Sequence, residues 1–251
     1  MKQILILSCL VLLFACKSEK RTDNLKQENT IQKEEPKMEN LKVQLEAKKQ
    51  QYADNWSSET LALHENGIDV VKKTGITASA FQVGQMAPDF ILNNALGKAI
   101  SLNEVLKQGP VVLTWYRGGW CPYCNLTLRA LQQALPEIKA QGATLLTLTP
   151  EVPDESLSTA EKNELEFEVL SDVHNKVGKS YGVVFKIEEN VAQAYQNGFN
   201  LHSYNGDDSD ELPMAATYII GTNGIIKWAF LDTDYRNRAE PSDIVNELKK
   251  L

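Results

Sequence analysis

The sequence predicts an α/β fold in which a central mixed sheet is flanked by helices, with a helical extension on its N-terminal side. Three observations predict it. β-rich runs alternate with amphipathic stretches from about residue 79 onward. Val111–Tyr116, then a helical stretch carrying Leu128, Leu131, Leu135 and Ile138, then Ala143–Thr149 make a strand–helix–strand unit. Such a unit implies a parallel pair with a right-handed crossover. Thr222-Asn223-Gly224 between two apolar runs then marks a hairpin.

The 251 residues are enough to bury a substantial core, and no internal repeat is present. A formal net charge of −7 leaves no basic surplus to neutralise phosphates, which argues against a nucleic-acid partner.

At the N-terminus, Lys2 precedes an apolar run from Ile4 to Ala15 that is too short to span a bilayer and of signal-peptide length. It ends in Leu13-Phe14-Ala15-Cys16, which resembles the lipobox of bacterial lipoproteins, with Phe14 in place of the usual small residue. The resemblance implies a signal peptide over 1–15, lipid attachment at Cys16, and export to the bacterial cell envelope on a lipid anchor facing away from the cytoplasm. An uncleaved anchor or a plain secretory signal are the alternatives, and both also take the protein out of the cytoplasm. Residues 16–37 are rich in Lys, Glu, Asp, Asn and Gln and read as a flexible tether, since they offer too little apolar surface to offset ordering entropy.

Residues 38–78 read as a helical extension. Leu41, Val43, Leu45 and Tyr52 punctuate Met38–Trp56, and Leu61, Leu63, Ile68, Val70 and Val71 punctuate Ser57–Thr74, which stops near Gly75. Both helices are expected on the outside of the domain, which spans 79–251. Its expected elements begin with a strand over Ala87–Leu92, a turn over Ala95–Lys98 and a short helix capped by Ser101 with Glu104. After the strand–helix–strand unit come a helix over Ser156–Leu165 with a start signal at Ser158–Glu161, a strand over Phe167–Asp172 and a helix over Asn175–Tyr181. Lys186–Glu211 is polar and aperiodic and reads as an inserted helix and loop at the surface. Its acidic cluster around Asp207, Asp208 and Asp210 lacks calcium-loop spacing and is expected to be solvated. Strands at Ala216–Ile220 and Ile225–Phe230 and a last helix from Pro241 bearing Ile244, Val245 and Leu248 complete the chain.

Chemistry concentrates in Trp115-Tyr116-Arg117-Gly118-Gly119-Trp120-Cys121-Pro122-Tyr123-Cys124. Of four cysteines, Cys9 falls in the expected signal peptide and Cys16 would carry lipid, leaving Cys121 and Cys124 as the thiols of the mature chain. A Cys-x-x-Cys at a helix start is a redox site: unpaired N–H groups and the helix dipole favour the first thiolate. A structural staple has little motive, because so short a loop barely constrains the unfolded chain. Half a zinc site would need further ligands, and His64, His174 and His202 are scattered without metal-site spacing, so no zinc site is expected. Cys121, after an exposed Gly-Gly-Trp turn, is the expected nucleophile and Cys124 the resolving thiol. Arg117 either adds positive potential or is simply solvated. Trp120 is expected to shield or shape the site, and Tyr123 to tune the helix start.

Strand–helix–strand, hairpin and helix is the layout of a thioredoxin fold. Tyr116–Asn125 resembles the site of the peroxiredoxin-like branch of the alkyl hydroperoxide reductase/thiol-specific antioxidant (AhpC/TSA) family. Gly84-Gln85-Met86-Ala87-Pro88-Asp89-Phe90, Leu170-Ser171-Asp172, Tyr218-Ile219-Ile220 and Asp234-Tyr235-Arg236-Asn237-Arg238 extend the resemblance over roughly residues 60–250. It implies a thiol-dependent peroxidase that reduces hydrogen peroxide or organic hydroperoxides through a Cys121 sulfenic acid and a Cys121–Cys124 disulfide. A thioredoxin-like dithiol donor would recycle it, with no cofactor. Family members typically carry Pro seven residues before the reactive Cys and Thr or Ser three before it; here those positions are Thr114 and Gly118. Arg236 or Arg238 stands where a distant Arg supports the thiolate, and Ala216 where thioredoxin-fold proteins often place a cis-Pro. The alternatives are a membrane-tethered thiol-disulfide oxidoreductase acting on envelope protein cysteines, and a non-catalytic lipoprotein with a redox-sensing disulfide.

Overall fold

The computed structural model describes residues 40–251, which fall in one compact unit. The expected signal peptide, the lipid-bearing Cys16, the tether and the first residues of the extension lie outside the described residues.

Two capped helices open the described chain. The Asn40 side chain accepts from the Val43 N–H to start α1 (Leu41–Asn55), and the Ser57 hydroxyl accepts from the Thr60 N–H to start α2 (Ser58–Lys73). A single turn, α3 (Ile76–Ser79), follows. Although most of its residues are exposed or half-buried, α1 also reaches into the core. Leu41 and Leu45, one turn apart, are buried in the main core cluster with Leu128, Leu131 and Ile244.

A small antiparallel ribbon comes next, β1 (Ile91–Asn93) with β2 (Ala99–Ser101). It is shorter than the strand expected over Ala87–Leu92. Pro88 has no N–H to give a ladder, and the Ala87 N–H is spent on the Gly224 carbonyl. The Ser101 hydroxyl accepts from the Glu104 N–H to start α4 (Leu102–Leu106), as expected.

The central strand β3 (Val111–Trp115) is buried throughout, and α5 (Pro122–Ala140) follows with Pro122 in its first turn and Leu128, Leu131, Leu135 and Ile138 inward. β4 (Thr144–Thr149) lies parallel to β3, Leu113 opposite Leu146. Then α6 (Pro153–Lys162) begins earlier than the sequence signals at Ser156 and Ser158, because Pro153 suits a first helical turn. β5 (Glu168–Ser171) lies parallel to β4. The Asp172 carboxylate then accepts the Val177 and Gly178 N–H groups to open α7 (Lys176–Ser180).

The stretch read as a polar surface insertion is ordered and partly core. β6 (Val184–Lys186) leads to α8 (Glu189–Phe199) and α9 (Leu201–Asn205), and β7 (Glu211–Pro213) returns to pair with β6. Val191, Ala192 and Tyr195 make a buried stripe on α8. The Asn-Gly turn joins β8 (Ala215–Ile220) to β9 (Ile226–Asp232) as a hairpin, with Gly224 at φ +77°, and α10 (Pro241–Leu248) ends the chain.

The main sheet has the order β5-β4-β3-β8-β9, parallel on one side of β3 and antiparallel on the other. Strand alternation divides its core in two. Val112 and Ile219 face α5, α1 and α10, whereas Val111, Leu113, Trp115, Tyr218 and Ile220 face Tyr181 and Leu102. This is a thioredoxin-like arrangement, and it delivers the C-terminal end of β3 straight into the cysteine-bearing helix.

Candidate active site

Sterics and hydrogen bonds fix the turn between β3 and α5. The Cys121 N–H donates to the Gly118 carbonyl at 3.0 Å, and Cys121 is the N-cap residue of α5. Asn125 locks the turn from one helical turn on: its Nδ2 donates to the carbonyls of Gly119 (2.7 Å) and Cys121 (3.1 Å), and its Oδ1 accepts from Asn163. Both glycines are required by space. A Cβ on Gly119 would stand 2.0 Å from Thr159 Oγ1, and one on Gly118 would stand 2.2 Å from the indole Nε1 of Trp120. Thr114 turns away from the turn, its hydroxyl 2.7 Å from that of Thr217 and donating to the Ala216 carbonyl. The turn is not exposed as expected. Gly118 is buried, and Cys121 and Cys124 are 1% and 0% exposed, under Trp120, Tyr123 and the end of α1.

The two sulfurs are free and have unequal surroundings. Burial pushes the Cys121 thiol up, but a hydrogen bond from the Cys124 thiol and the guanidinium groups of Arg117 and Arg238 prevail and lower it to about 6. Cys124 moves the opposite way. Burial, its bond to Cys121 and the nearby Cys121 charge hold it well above the usual thiol range. Its sulfur accepts from the Arg117 backbone N–H and from Arg238 Nη2, both at 3.4 Å.

Arg117 is 2% exposed, so it is not the solvated strand-end arginine that the sequence left open. Its guanidinium stands over the rings of Tyr235 (4.1 Å), Trp120 (4.9 Å) and Tyr195 (5.3 Å), and Nη2 donates to the Tyr195 hydroxyl at 2.7 Å. Among the described residues no carboxylate forms an ion pair with it. Buried charge without a partner is costly, and the Cys121 thiolate is the anion at hand. Of the two C-terminal arginines, Arg236 is engaged by Asp234 and Glu65, whereas Arg238 reaches Cys124. The structure therefore brings Cys121, Cys124, Arg117, Trp120 and Arg238 together.

Several participants were not read from the sequence. Tyr195 comes from α8, which completes the aromatic cage with Phe199 stacked on Trp120 at 4.5 Å. Tyr52 of α1, the C-cap residue Trp56 and His64 of α2 stack in series and lean on Tyr123 and Tyr195, so the extension forms part of the cover. Glu151 is fully buried: its Oε1 accepts from the Gly119 N–H at 2.8 Å, and Oε2 accepts from Thr149 and Thr159 hydroxyls. Burial pushes its carboxyl up to about 7 against the pull of the Gly119 N–H. A signal for Glu151 existed, since it follows the carboxyl end of β4, the parallel neighbour of β3. The acidic cluster is less solvated than expected: Asp207 and Asp210 bind His174 and His202 at 2.8 and 2.9 Å.

Residues 83–229 match the model of the AhpC/TSA family. Peroxiredoxin Q of Triticum aestivum chloroplasts is 26% identical over 71% of this chain and 70% of its own length. The chloroplastic peroxiredoxin Q of Arabidopsis thaliana is 27% identical, over 78% of this chain and 79% of its own. In fold, the chain is similar to peroxidoxin BcpB from Mycobacterium tuberculosis, with a TM-score of 0.54 at 18% identity over 68% of this chain and 98% of that one. The match runs through β3, the cysteine pair, α5 and the β8–β9 hairpin, and takes in more than half of the sequence: the chain belongs to the AhpC/TSA family.

Proposed function

We propose that this chain is a thiol-dependent peroxidase that reduces hydrogen peroxide or organic hydroperoxides with electrons from a thioredoxin-like dithiol donor. The observation that carries it is the unequal pair: Cys121, lowered to about 6 beside two guanidinium groups, and Cys124, held protonated beside it. Family membership and relatives named peroxiredoxin Q support it. The Cys121 thiolate attacks the O–O bond, leaving a sulfenic acid on sulfur and releasing water or an alcohol. The Cys124 thiol condenses with the sulfenic acid, forming the disulfide and expelling water. A dithiol then returns both sulfurs to the reduced state by exchange. Arg117 and Arg238 hold the thiolate, and Trp120 closes the turn over it.

The lipoprotein reading belongs to the same proposal. Cys16 carries the lipid and residues 16–37 tether the domain at the cell envelope, outside the cytoplasm. Lipid labelling that disappears in Cys16→Ser supports it, and unchanged labelling overturns it.

The catalytic test is sulfenic-acid trapping. Cys124→Ser treated with one equivalent of peroxide gives a dimedone adduct on Cys121, and Cys121→Ser gives none and consumes no peroxide with a dithiol donor. Rapid mixed disulfides with protein thiols and no peroxide consumption would instead assign the chain to thiol–disulfide exchange.

A further inference from the structure

Around the cysteine pair the structure has donors in excess of acceptors. Arg117 Nε, Arg238 Nε and the indole Nε1 of Trp120 are buried N–H groups without a hydrogen-bond partner. None of the three can accept, and leaving a buried bond of this kind unmade is costly. Arg117 and Arg238 act on the Cys121 charge, and Trp120 precedes it in the turn, so three orphaned donors at this turn fit a ligand that brings oxygen acceptors. The indole is the best placed. Its Nε1 lies 2.2 Å from where a Cβ of residue 118 would be, so it occupies the space that a hydroxyl-bearing side chain there would fill. Arg117 on one face of the indole and Phe199 on it as well hold the ring in that position.

We propose that Trp120 is a catalytic residue, its indole N–H donating a hydrogen bond to the bound peroxide in place of a hydroxyl at position 118. The inference rests on the peroxidase reading and deepens it. As the Cys121 S–O bond forms and the O–O bond breaks, sulfur is oxidised by two electrons and the peroxide is reduced. Negative charge builds on the departing oxygen, which leaves as RO⁻ and takes a proton from solvent, while the sulfenic acid keeps the peroxide's own proton. The indole keeps its proton throughout and lowers the energy of the developing charge.

The test compares two electrophiles at Cys121. Rates with hydrogen peroxide and with iodoacetamide are measured across pH for the native protein, Trp120→Phe and Trp120→His. Phe keeps a ring against Arg117 and Phe199 but has no donor. It is expected to lower the peroxide rate by about 100- to 1,000-fold, the scale of one lost transition-state donor. The iodoacetamide rate and its pH midpoint stay within about twofold, because alkylation needs the thiolate and not the donor. His, which restores an N–H, recovers part of the peroxide rate. A Phe variant with an unchanged peroxide rate, or with both rates falling together, overturns the proposal. If the native thiol reacts rapidly with iodoacetamide and not at all with peroxide, the peroxidase reading falls first and takes this inference with it.

Discussion

Arg117 Nη2 donates to the hydroxyl of Tyr195 at 2.7 Å, a buried bond between residues 78 positions apart. It joins the turn before Cys121 to α8, and it is the polar contact that holds a guanidinium otherwise surrounded by rings. Tyr195→Phe is therefore expected to let Arg117 drift from the sulfur. Alkylation at pH 6.5 should slow by about 3- to 10-fold while the rate at pH 9, where the thiol ionises unaided, stays near native. A loss equal at both pH values would mean that Tyr195 only supports the fold.

Removing the charge itself should do more. With Arg117→Met, the Cys121 pKa should climb from about 6 towards the ordinary thiol value. The thiolate fraction at pH 7 would fall by about 30-fold for a pKa of about 8.5. A pH titration of the thiolate absorbance near 240 nm checks it. In the native protein the same titration should have its midpoint near 6. The sign for stability follows: a lowered thiol pKa stabilises the fold above the unfolded value, and that contribution is lost as pH falls through about 6.

Glu151 should act on stability in the opposite sense. Its carboxyl keeps its proton to about 7 in the folded chain, against an ordinary value of 4.5. The native state thus binds the extra proton between those values, and stability falls as pH rises through that window, by about 3 kcal/mol in all. Glu151→Gln should remove the slope and raise the urea midpoint at pH 8, with little change at pH 4. A native midpoint that is flat from pH 4 to 8 would contradict the burial argument.

Leu41 tests whether α1 is part of the core. It is fully buried at the first position of α1. Leu41→Ala should cost about 2–4 kcal/mol in urea unfolding. Val43, one residue pair along and 60% exposed, should change stability by less than about 0.5 kcal/mol when made Ala.

What was legible in the sequence was local. The β3, β4, β8 and β9 strands announce themselves as apolar runs, Asn223-Gly224 as their hairpin, and Cys121-x-x-Cys124 as a helix start. Lost to view were juxtapositions that only tertiary structure makes. Tyr195 belongs to the stripe Val191, Ala192, Tyr195, whose period is helical but is masked by polar residues on both sides. Glu151 is an acidic residue in a polar context until β4 sets it beside Gly119. The exposure of the Gly-Gly-Trp turn was misjudged for the same reason, since α1 and α8 supply its cover from far along the chain.

One carboxylate fastens both ends of the described chain. Glu240, the N-cap residue of α10, accepts the backbone N–H groups of Leu41 and Lys42 at 3.0 Å each, across 199 and 198 positions. On the ribosome, α1 is made 199 positions ahead of the carboxylate that clasps it. The cover over the cysteines therefore cannot be fastened on a nascent chain until Glu240 has emerged. A chain cut short before Glu240 would lack the clasp, and its reactive thiol would lie open to the first oxidant it met.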